Sequence, residues 1–221
     1  MAHYFENDEN LKSNETEKTV IINNTKLKFI TDNGVFSKKG LDFGTRTLLE
    51  SISRVDGKVL DFGCGYGPIG IYLKKTFDCS VTMLDINKRS VSLALKNASL
   101  NNVDVNIIES DMYEQIKDKY NYIISNPPIR IGKEKLYKIL FDAKKYLEKN
   151  GKLIIVVNKN QGAKSLIKDL EKEYKVEVIT KNKGFYIISA LNCWLTHLIL
   201  IKWYIDAYTL ILSYVLLKFS T

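Results

Sequence analysis

Residue types that could hold a ligand are concentrated in residues 59–70, which read VLDFGCGYGPIG. An apolar run ends at Asp61, and Gly63, Gly65 and Gly67 follow at alternate positions. Glycines are needed where a chain turns sharply into a helix and a ligand lies against the bare backbone. These residues also satisfy the G-x-G-x-x-G pattern of dinucleotide-binding turns, although that match alone is a weak signal. The spacing therefore predicts a ligand-binding turn.

Acidic residues end three successive predicted strands and indicate which ligand the turn receives. Asp61 would repel the pyrophosphate of NAD but attract the sulfonium and α-amino groups of S-adenosylmethionine. Asp85 can accept hydrogen bonds from both ribose hydroxyls, and Ile86 is a further candidate cofactor contact. Asp111 could bind the adenine amine while Met112 covers the ring. A single aspartate could equally be a helix N-cap or a turn residue, but three in succession favour a binding site.

A second candidate site is the sequence Asn126-Pro127-Pro128-Ile129, which follows another predicted strand. An amine attached to an aromatic ring is a poor nucleophile because its lone pair is delocalised. The side-chain carbonyl of Asn126 and the main-chain carbonyl of Pro127 could accept the amine hydrogens and favour a pyramidal nitrogen. Positioning and this polarisation could carry methyl transfer without a strong base. The alternative is a plain turn that ends the strand.

Basic residues follow this loop. Residues 130–152 contain eight basic and three acidic residues, and the whole chain carries a net charge of +8. Arg130 and Lys133 could hold phosphates beside a target base. The lysines at 144, 145 and 149 are more typical of a solvated helix face. A basic balance favours a polyanionic partner, although a charged surface without a specific ligand is the alternative.

The elements that must position these residues alternate regularly from Lys58 onward. The predicted strands are 58–62, 80–85, 104–109, 120–125, 152–157, 175–180 and 184–189. The predicted helices are 68–76, 88–100, 133–148 and 161–173. This alternation predicts an α/β fold with a Rossmann-like, mainly parallel sheet covered on both faces. The last two strands are separated only by residues 181–183, so we expect a seven-stranded sheet with one antiparallel strand.

These motifs together resemble class I S-adenosylmethionine-dependent methyltransferases of the small-domain family, which includes the guanine-N2 methyltransferases of small-subunit ribosomal RNA. The Asp61–Gly67 segment resembles the first motif of that class, Asp85 the second, and Asn126–Ile129 the Asn-Pro-Pro-aromatic motif of enzymes that methylate nitrogens of planar groups. Residues 33–37 and 42–45 resemble the segment that precedes the glycine motif in this family. The resemblance covers about residues 3–189 and implies S-adenosylmethionine as cofactor and RNA, most often ribosomal, as partner.

The chain departs from the family pattern at Ile129, where the family usually has an aromatic residue that stacks on the target ring. Ile129 can only pack against a base, so stacking would come from Phe36 or Tyr66, or would be weaker. Some ribosomal members also carry a second, degenerate methyltransferase domain, for which these 221 residues have no room. Substrate recognition would then rest on this domain or on a partner subunit.

The domain organisation predicted from the sequence has three parts. Residues 1–56 form an N-terminal extension, with a hairpin over 18–31 and a helix over 42–53, packed on a catalytic domain over residues 57–189. Residues 190–221 form an apolar tail without an assigned role. The tail could contact a membrane, although the charges of Lys202 and Asp206 make spanning costly. A helix packed on the domain or on a second subunit is an equal alternative, and so is an end with no selected role.

Three cysteines without metal-ligand spacing are typical of a reducing cytoplasm, and no metal site is predicted. Two other functions are compatible with the main features of the sequence. One is N5-methylation of a protein glutamine, which uses the same Asn-Pro-Pro chemistry. The other is a non-catalytic RNA-binding module with a vestigial cofactor fold, against which the intact aspartate, glycine and asparagine set argues.

Overall fold

The computed structural model describes residues 11–193, in which a central sheet is flanked by helices. The strands are β1 (Thr16–Ile22), β2 (Thr25–Thr31), β3 (Gly57–Phe62), β4 (Cys79–Asp85), β5 (Asn106–Glu109), β6 (Tyr120–Ser125), β7 (Leu147–Asn158), β8 (Lys175–Asn182) and β9 (Phe185–Leu191). The α-helices are α1 (Phe43–Ser51), α2 (Pro68–Thr76), α3 (Lys88–Leu100), α4 (Lys133–Tyr146) and α5 (Ala163–Leu170). Single 3₁₀ turns occupy Ile129–Ile131 and Lys159–Gln161.

The central sheet has seven strands in the order β5-β4-β3-β6-β7-β9-β8. Strand β9 runs antiparallel to both of its neighbours, and the remaining pairs are parallel. The predicted fold class, with its single reversed strand, is therefore confirmed. The strand order reverses between β3 and β6, and ligands of such sheets bind outside the carboxyl ends of the strands at this point.

Both faces of the sheet are buried, and successive residues of a strand enter different hydrophobic clusters because they point to opposite faces. Val59 and Ile124 belong to one hydrophobic cluster, and Leu60 and Ile123 belong to the other. All four side chains are fully buried. The first cluster also takes residues from α1, α2, α3 and the β1–β2 hairpin, and the second takes residues from α4 and α5. This double cover explains the continuous apolar runs of the parallel strands.

The N-terminal hairpin packs against α3 through two buried asparagines. Asn97 exchanges hydrogen bonds of 2.7 and 2.9 Å with the backbone N–H and carbonyl of Ile30. Asn101 does the same with Lys28, at 3.0 and 2.7 Å. These side chains satisfy backbone groups along the edge of β2 that would otherwise stay unpaired. The hairpin is thereby fixed beside the glycine turn, since Asn97 also donates to the Tyr66 carbonyl at 2.8 Å.

Several boundaries differ from the sequence prediction, including those of the final hairpin, β7 and α5. The final hairpin turns at Lys183-Gly184 and not across residues 181–183. Both turn residues have positive φ angles, of 43° and 85°, and this type of two-residue turn favours a glycine. Strand β7 begins at Leu147, inside the predicted helix 133–148. Helix α5 is confined to Ala163–Leu170 because Gly162, with φ of 83°, starts it and a 3₁₀ turn precedes it.

The apolar tail predicted over residues 190–221 lies outside the described residues from position 194 onward. Within residues 11–193, no helix is long and apolar enough to cross a membrane.

Candidate active site

A cavity of about 650 Å³ opens at the carboxyl edge of the sheet, where β3, β4 and β6 end. Most of the residues predicted from the sequence as site residues line it: Phe36, Gly63, Gly65, Asp85, Ile86, Asp111, Met112, Asn126, Pro127, Pro128 and Ile129. Asp61, Gly67 and Lys133 lie outside this lining, and the side chain of Arg130 is not among the described groups. A cavity of this size is in the range of small-molecule and cofactor sites.

Two glycines of the turn have different roles: Gly65 leaves space for a ligand, and Gly67 allows close packing. Gly65 has φ of 56°, and a Cβ added there would meet no atom within 4 Å, so its missing side chain leaves room in the cavity. Gly67 has φ of 96° and lies just before α2. A Cβ at Gly67 would lie 2.8 Å from Ile71 Cδ1 and 2.9 Å from Met83 Cε. Gly67 is therefore required by packing and backbone conformation.

Asp85 is held rigidly at the end of β4. Its Oδ2 accepts from the Gly65 N–H at 2.8 Å, and its Oδ1 accepts from the Asn87 N–H at 2.9 Å. Burial raises the pKa of Asp85, while these N–H groups and that of Ile86 oppose the rise. A carboxylate has about four acceptor positions, so after these three N–H groups it can still accept from a ligand hydroxyl. This geometry suits a ribose that is bound through its hydroxyls.

Asp61 is a fully buried carboxyl group behind the glycine turn. Its Oδ2 accepts from the Gly70 N–H at 2.8 Å, and its Oδ1 has no hydrogen-bond partner among the described residues. Burial raises the pKa of Asp61 to about 7; the Gly70 N–H opposes this shift and the charge of Asp85 adds to it. A cationic or hydrogen-bond-donating ligand nearby would compensate the unpaired oxygen.

This buried carboxyl gives a prediction about stability without ligand. The pKa is 3.8 in the reference state and about 7 in the fold, so between these values the folded protein retains a proton that the unfolded chain has lost. The contribution of Asp61 to the free energy of unfolding therefore falls as pH rises through this window. Asp61→Asn removes the titration, so its stability relative to wild type should increase from about pH 4 to about pH 7 and then level off.

Urea unfolding at a series of pH values measures this difference, with Asp104→Asn, an exposed change just before β5, as the control. A stability difference between Asp61→Asn and wild type that does not vary with pH would contradict the raised pKa.

The far end of the cavity is shaped by Ser110, Asp111 and Met112. Met112 adopts the left-handed conformation, with φ of 46°, and its carbonyl accepts from the Ser110 hydroxyl at 3.1 Å. Strained backbone of this kind is often retained at ligand sites. Three aspartates line the cavity, against one lysine, Lys135. The lining thus suits a ligand that carries positive charge and a ribose, and it fits S-adenosylmethionine better than a pyrophosphate.

The Asn-Pro-Pro loop forms another part of the cavity lining. Pro128 has φ of −75° and ψ of 80°, close to an inverse γ-turn, and the Pro127 carbonyl accepts from the Ile129 N–H at 2.9 Å. One lone pair of the Pro127 carbonyl is therefore already used, and the second is left for a substrate. The turn fixes the direction in which that carbonyl points.

Asn126 contacts two residues that the sequence analysis did not assign to the site. Its Nδ2 donates to the Thr45 hydroxyl at 2.9 Å and lies 3.5 Å from Asp42 Oδ1. Asp42 and Thr45 both line the cavity. The only sequence signal for them was their place in the segment that resembles the family before the glycine motif.

The aromatic side chains around the cavity are Phe36, Phe62, Tyr66 and Phe185. Phe36 is 38% exposed, whereas Phe62 and Tyr66 are buried. Phe185, at the start of β9, was not predicted as a site residue because 59 positions of sequence separate it from Asn126 and only the strand order brings the two together. Phe36 and Phe185 are thus the better-placed candidates for contact with a substrate ring.

The two lysines that follow the loop differ in whether they line the cavity. Lys133 is exposed, and its Nζ lies 4.9 Å from the centre of the Tyr137 ring. Lys135, two residues further along α4, lines the cavity. Within the described residues, no group of three histidine, cysteine, aspartate or glutamate residues could hold a metal ion.

Comparison with known proteins agrees with these features. The uncharacterized protein YbxB of Bacillus subtilis is 40% identical over 85% of this chain and 97% of its own length. The ribosomal RNA small subunit methyltransferase C of Psychromonas ingrahamii is 34% identical over 77% of this chain, and that of Haemophilus influenzae (strain Rd) 36% over 72%. The chain spans about half the length of these two methyltransferases.

Among solved structures, the 16S rRNA N2 methyltransferase RsmC of T. thermophilus, in complex with AdoMet and guanosine, matches with a TM-score of 0.72. It is 22% identical, and the match covers 80% of this chain and 50% of that one. The family model for the methyltransferase small domain matches residues 26–189. The predicted resemblance is confirmed, and the chain belongs to the methyltransferase small domain family.

Proposed function

We propose that this protein transfers a methyl group from S-adenosylmethionine to the exocyclic amine of a guanine in ribosomal RNA, in the cytoplasm. The observation that carries the proposal is the orientation of the side-chain amide of Asn126. Its NH₂ group is directed at Thr45 and Asp42, which leaves Oδ1 to accept from an amine. Asn126 lies on the same cavity as the acidic cofactor half of the site.

The cofactor half has a partner for each part of S-adenosylmethionine. Asp85 would accept the ribose hydroxyls, and Asp111 the adenine amine, with Ile86 and Met112 against the ring. The glycine turn would carry the amino-acid portion, where Asp61 favours its positive charge. When bound, S-adenosylmethionine supplies an electrophilic methyl group: the carbon–sulfur bond breaks as a carbon–nitrogen bond forms, and the positive charge moves to the amine nitrogen, which then loses a proton to water.

The catalytic loop would act on the nucleophile. Asn126 Oδ1 and the second lone pair of the Pro127 carbonyl would accept the two amine hydrogens and orient the nitrogen lone pair toward the methyl group. These acceptors are fixed before the substrate arrives, so little reorganisation is required during the reaction. Positioning of this kind supplies much of the rate of a bimolecular transfer.

The target ring would be held without the aromatic residue that usually follows Asn-Pro-Pro in such enzymes. Pro128 and Ile129 offer an apolar surface on one side. Phe36 and Phe185 are the aromatic residues of the lining that could cover the other. Offset aromatic contacts of this type contribute about 0.5–1.5 kcal/mol beyond their buried area.

Ribosomal RNA is the substrate class that the relatives support, because two of them are named as small-subunit ribosomal RNA methyltransferases. Guanine as the target base is supported by the solved N2 methyltransferase of T. thermophilus, which is in complex with guanosine. The basic stretch after the catalytic loop supports a polyanionic substrate. Arg130 and Lys133 are proposed to contact phosphates beside the target base, with Lys135 as an addition from the structure. The three form one end of α4 and the turn before it.

A double variant, Arg130→Ala with Lys133→Ala, tests the phosphate contacts. Each lost phosphate contact reduces the slope of log affinity against log salt by slightly less than one, so the pair should reduce it by about two at most. Fluorescence anisotropy with labelled ribosomal RNA fragments at several salt concentrations gives the slope.

The matched control is Lys149→Ala with Lys152→Ala, which removes the same charge from exposed positions away from the cavity. Equal salt slopes in the two double variants would make Arg130 and Lys133 ordinary surface residues. Affinity for S-adenosylmethionine should stay unchanged in both.

The substrate class itself is tested by incubating the protein with labelled S-adenosylmethionine and, separately, bulk RNA, protein and DNA. Label in RNA is the expected result. Label in protein, at glutamine, would overturn the RNA proposal in favour of the other Asn-Pro-Pro chemistry.

A further inference from the structure

The side-chain amide of Asn126 has two orientations that differ by exchange of its oxygen and nitrogen, and only one presents an acceptor to an amine. A hydroxyl both donates and accepts, so Thr45 alone could tolerate either orientation. An ionised carboxylate only accepts, so Asp42 Oδ1, 3.5 Å from Nδ2, disfavours the orientation that would place Oδ1 against it. The carboxylate of Asp42 therefore favours the orientation in which Nδ2 faces it and Oδ1 points away.

Asp42 is itself held in place by the start of α1. It is the N-cap of that helix, and its Oδ1 accepts from the Thr45 N–H at 3.1 Å. The same turn packs tightly against β9: a Cβ added to Gly44 would lie 2.9 Å from Phe185 Cε1, and the rings of Phe43 and Phe185 are 5.7 Å apart. The start of α1 thus holds Asp42 next to the Asn-Pro-Pro loop.

We propose that Asp42 and Thr45 are positioning residues that fix the orientation of the Asn126 amide, so that its oxygen is available to the target amine. Asp42 selects the orientation by charge, and Thr45, which is buried, provides the shorter hydrogen bond that holds it. This inference rests on the proposed function in one respect: the amine acceptor role of Asn126 comes from there. The orientation of the amide does not depend on it.

Asp42→Ser separates helix capping from positioning. Serine is as good an N-cap as aspartate, but its shorter neutral side chain cannot act on Asn126. We expect Asp42→Ser to lower the single-turnover methylation rate about tenfold to a hundredfold, the range typical of small misplacements at a reacting centre. Thr45→Val should also lower the rate, and Thr45→Ser should restore most of it. Asp56→Asn, an exposed loss of the same charge, is the control.

A double-mutant cycle decides whether the effect acts through Asn126. In an Asn126→Ala background, Asp42→Ser should change the remaining rate by less than about twofold, because the group it positions is gone. An equal fold-loss in both backgrounds would mean that Asp42 acts only on the structure, and an unchanged rate in Asp42→Ser would overturn the proposal.

A second readout does not require activity. The side-chain NH₂ signal of Asn126, assigned by its loss in Asn126→Ala, should exchange slowly with solvent in wild type and faster in Asp42→Ser and Thr45→Val. Equal exchange rates would overturn the positioning proposal even if methylation is observed. Slow exchange in a protein that methylates no RNA would leave the positioning intact and overturn the proposed function instead.

Discussion

Asn126→Ala is expected to lower the single-turnover rate of methyl transfer by about a hundredfold or more, while the affinity for S-adenosylmethionine changes by less than about twofold. In the proposed reaction the amide oxygen acts on the nucleophile and not on the methyl donor, so its loss should affect the chemical step and spare cofactor binding. The removal of one fixed transition-state hydrogen bond in other enzymes costs about 10²–10³ in kcat. Rapid-quench measurement with saturating cofactor and RNA gives the rate, and calorimetry gives the affinity.

The control for this variant is Asn106→Ala, an exposed change on β5 at the edge of the sheet. It should leave both quantities at the wild-type value. A folded Asn126→Ala protein with a near-normal single-turnover rate would remove Asn126 from the chemistry and leave it as a turn residue.

Asp85→Ala is expected to weaken S-adenosylmethionine by about 1–3 kcal/mol, or roughly five- to 150-fold in Kd, the scale of lost hydrogen bonds to a charged acceptor. The carboxylate also accepts from the Gly65 and Asn87 backbones, so its removal loosens the glycine turn as well. Asp85→Asn keeps the shape and one acceptor, and should fall between wild type and Asp85→Ala. Titration calorimetry measures all three.

Thermal unfolding without cofactor separates the two effects of Asp85. Asp104→Ala, which removes an exposed charge away from the cavity, should bind as wild type does. Cofactor affinity in Asp85→Ala equal to that of Asp104→Ala would show that no ribose lies at this carboxylate.

Much of the fold could be predicted from the sequence because its signals are local. Helices α2 and α3 have the bounds predicted for them, since Pro68 suits the first turn of one and Asn87 caps the other. The short separation of the last two predicted strands was enough to predict the antiparallel final strand. The bounds of β7 and α5 were wrong because the change between helix and strand at Leu147, and the glycine start at Gly162, depend on packing and backbone angles that composition does not encode.

The site was predictable where a residue directly follows a strand, and not where the fold brings distant segments together. Asp85 and Asn126 lie at carboxyl ends of strands, so their place on one edge follows from parallel pairing. Asp42 is 84 residues away from Asn126, and the contact arises only because the start of α1 lies against the loop that follows β6. The hydrogen bond between Pro127 and Ile129 was likewise hidden, because it depends on the angles of Pro128.

The central claim is that this chain methylates the exocyclic amine of a guanine in ribosomal RNA. It is tested most directly by incubating the protein and S-adenosylmethionine with unmodified small-subunit ribosomal RNA, free and in assembled particles, and analysing the nucleosides by mass spectrometry. Wild type should form N2-methylguanosine in at least one of the two substrates, and Asn126→Ala should form almost none in the same time. Methylation at another base atom, or at glutamine in the particle proteins with no modified guanosine, would contradict the claim.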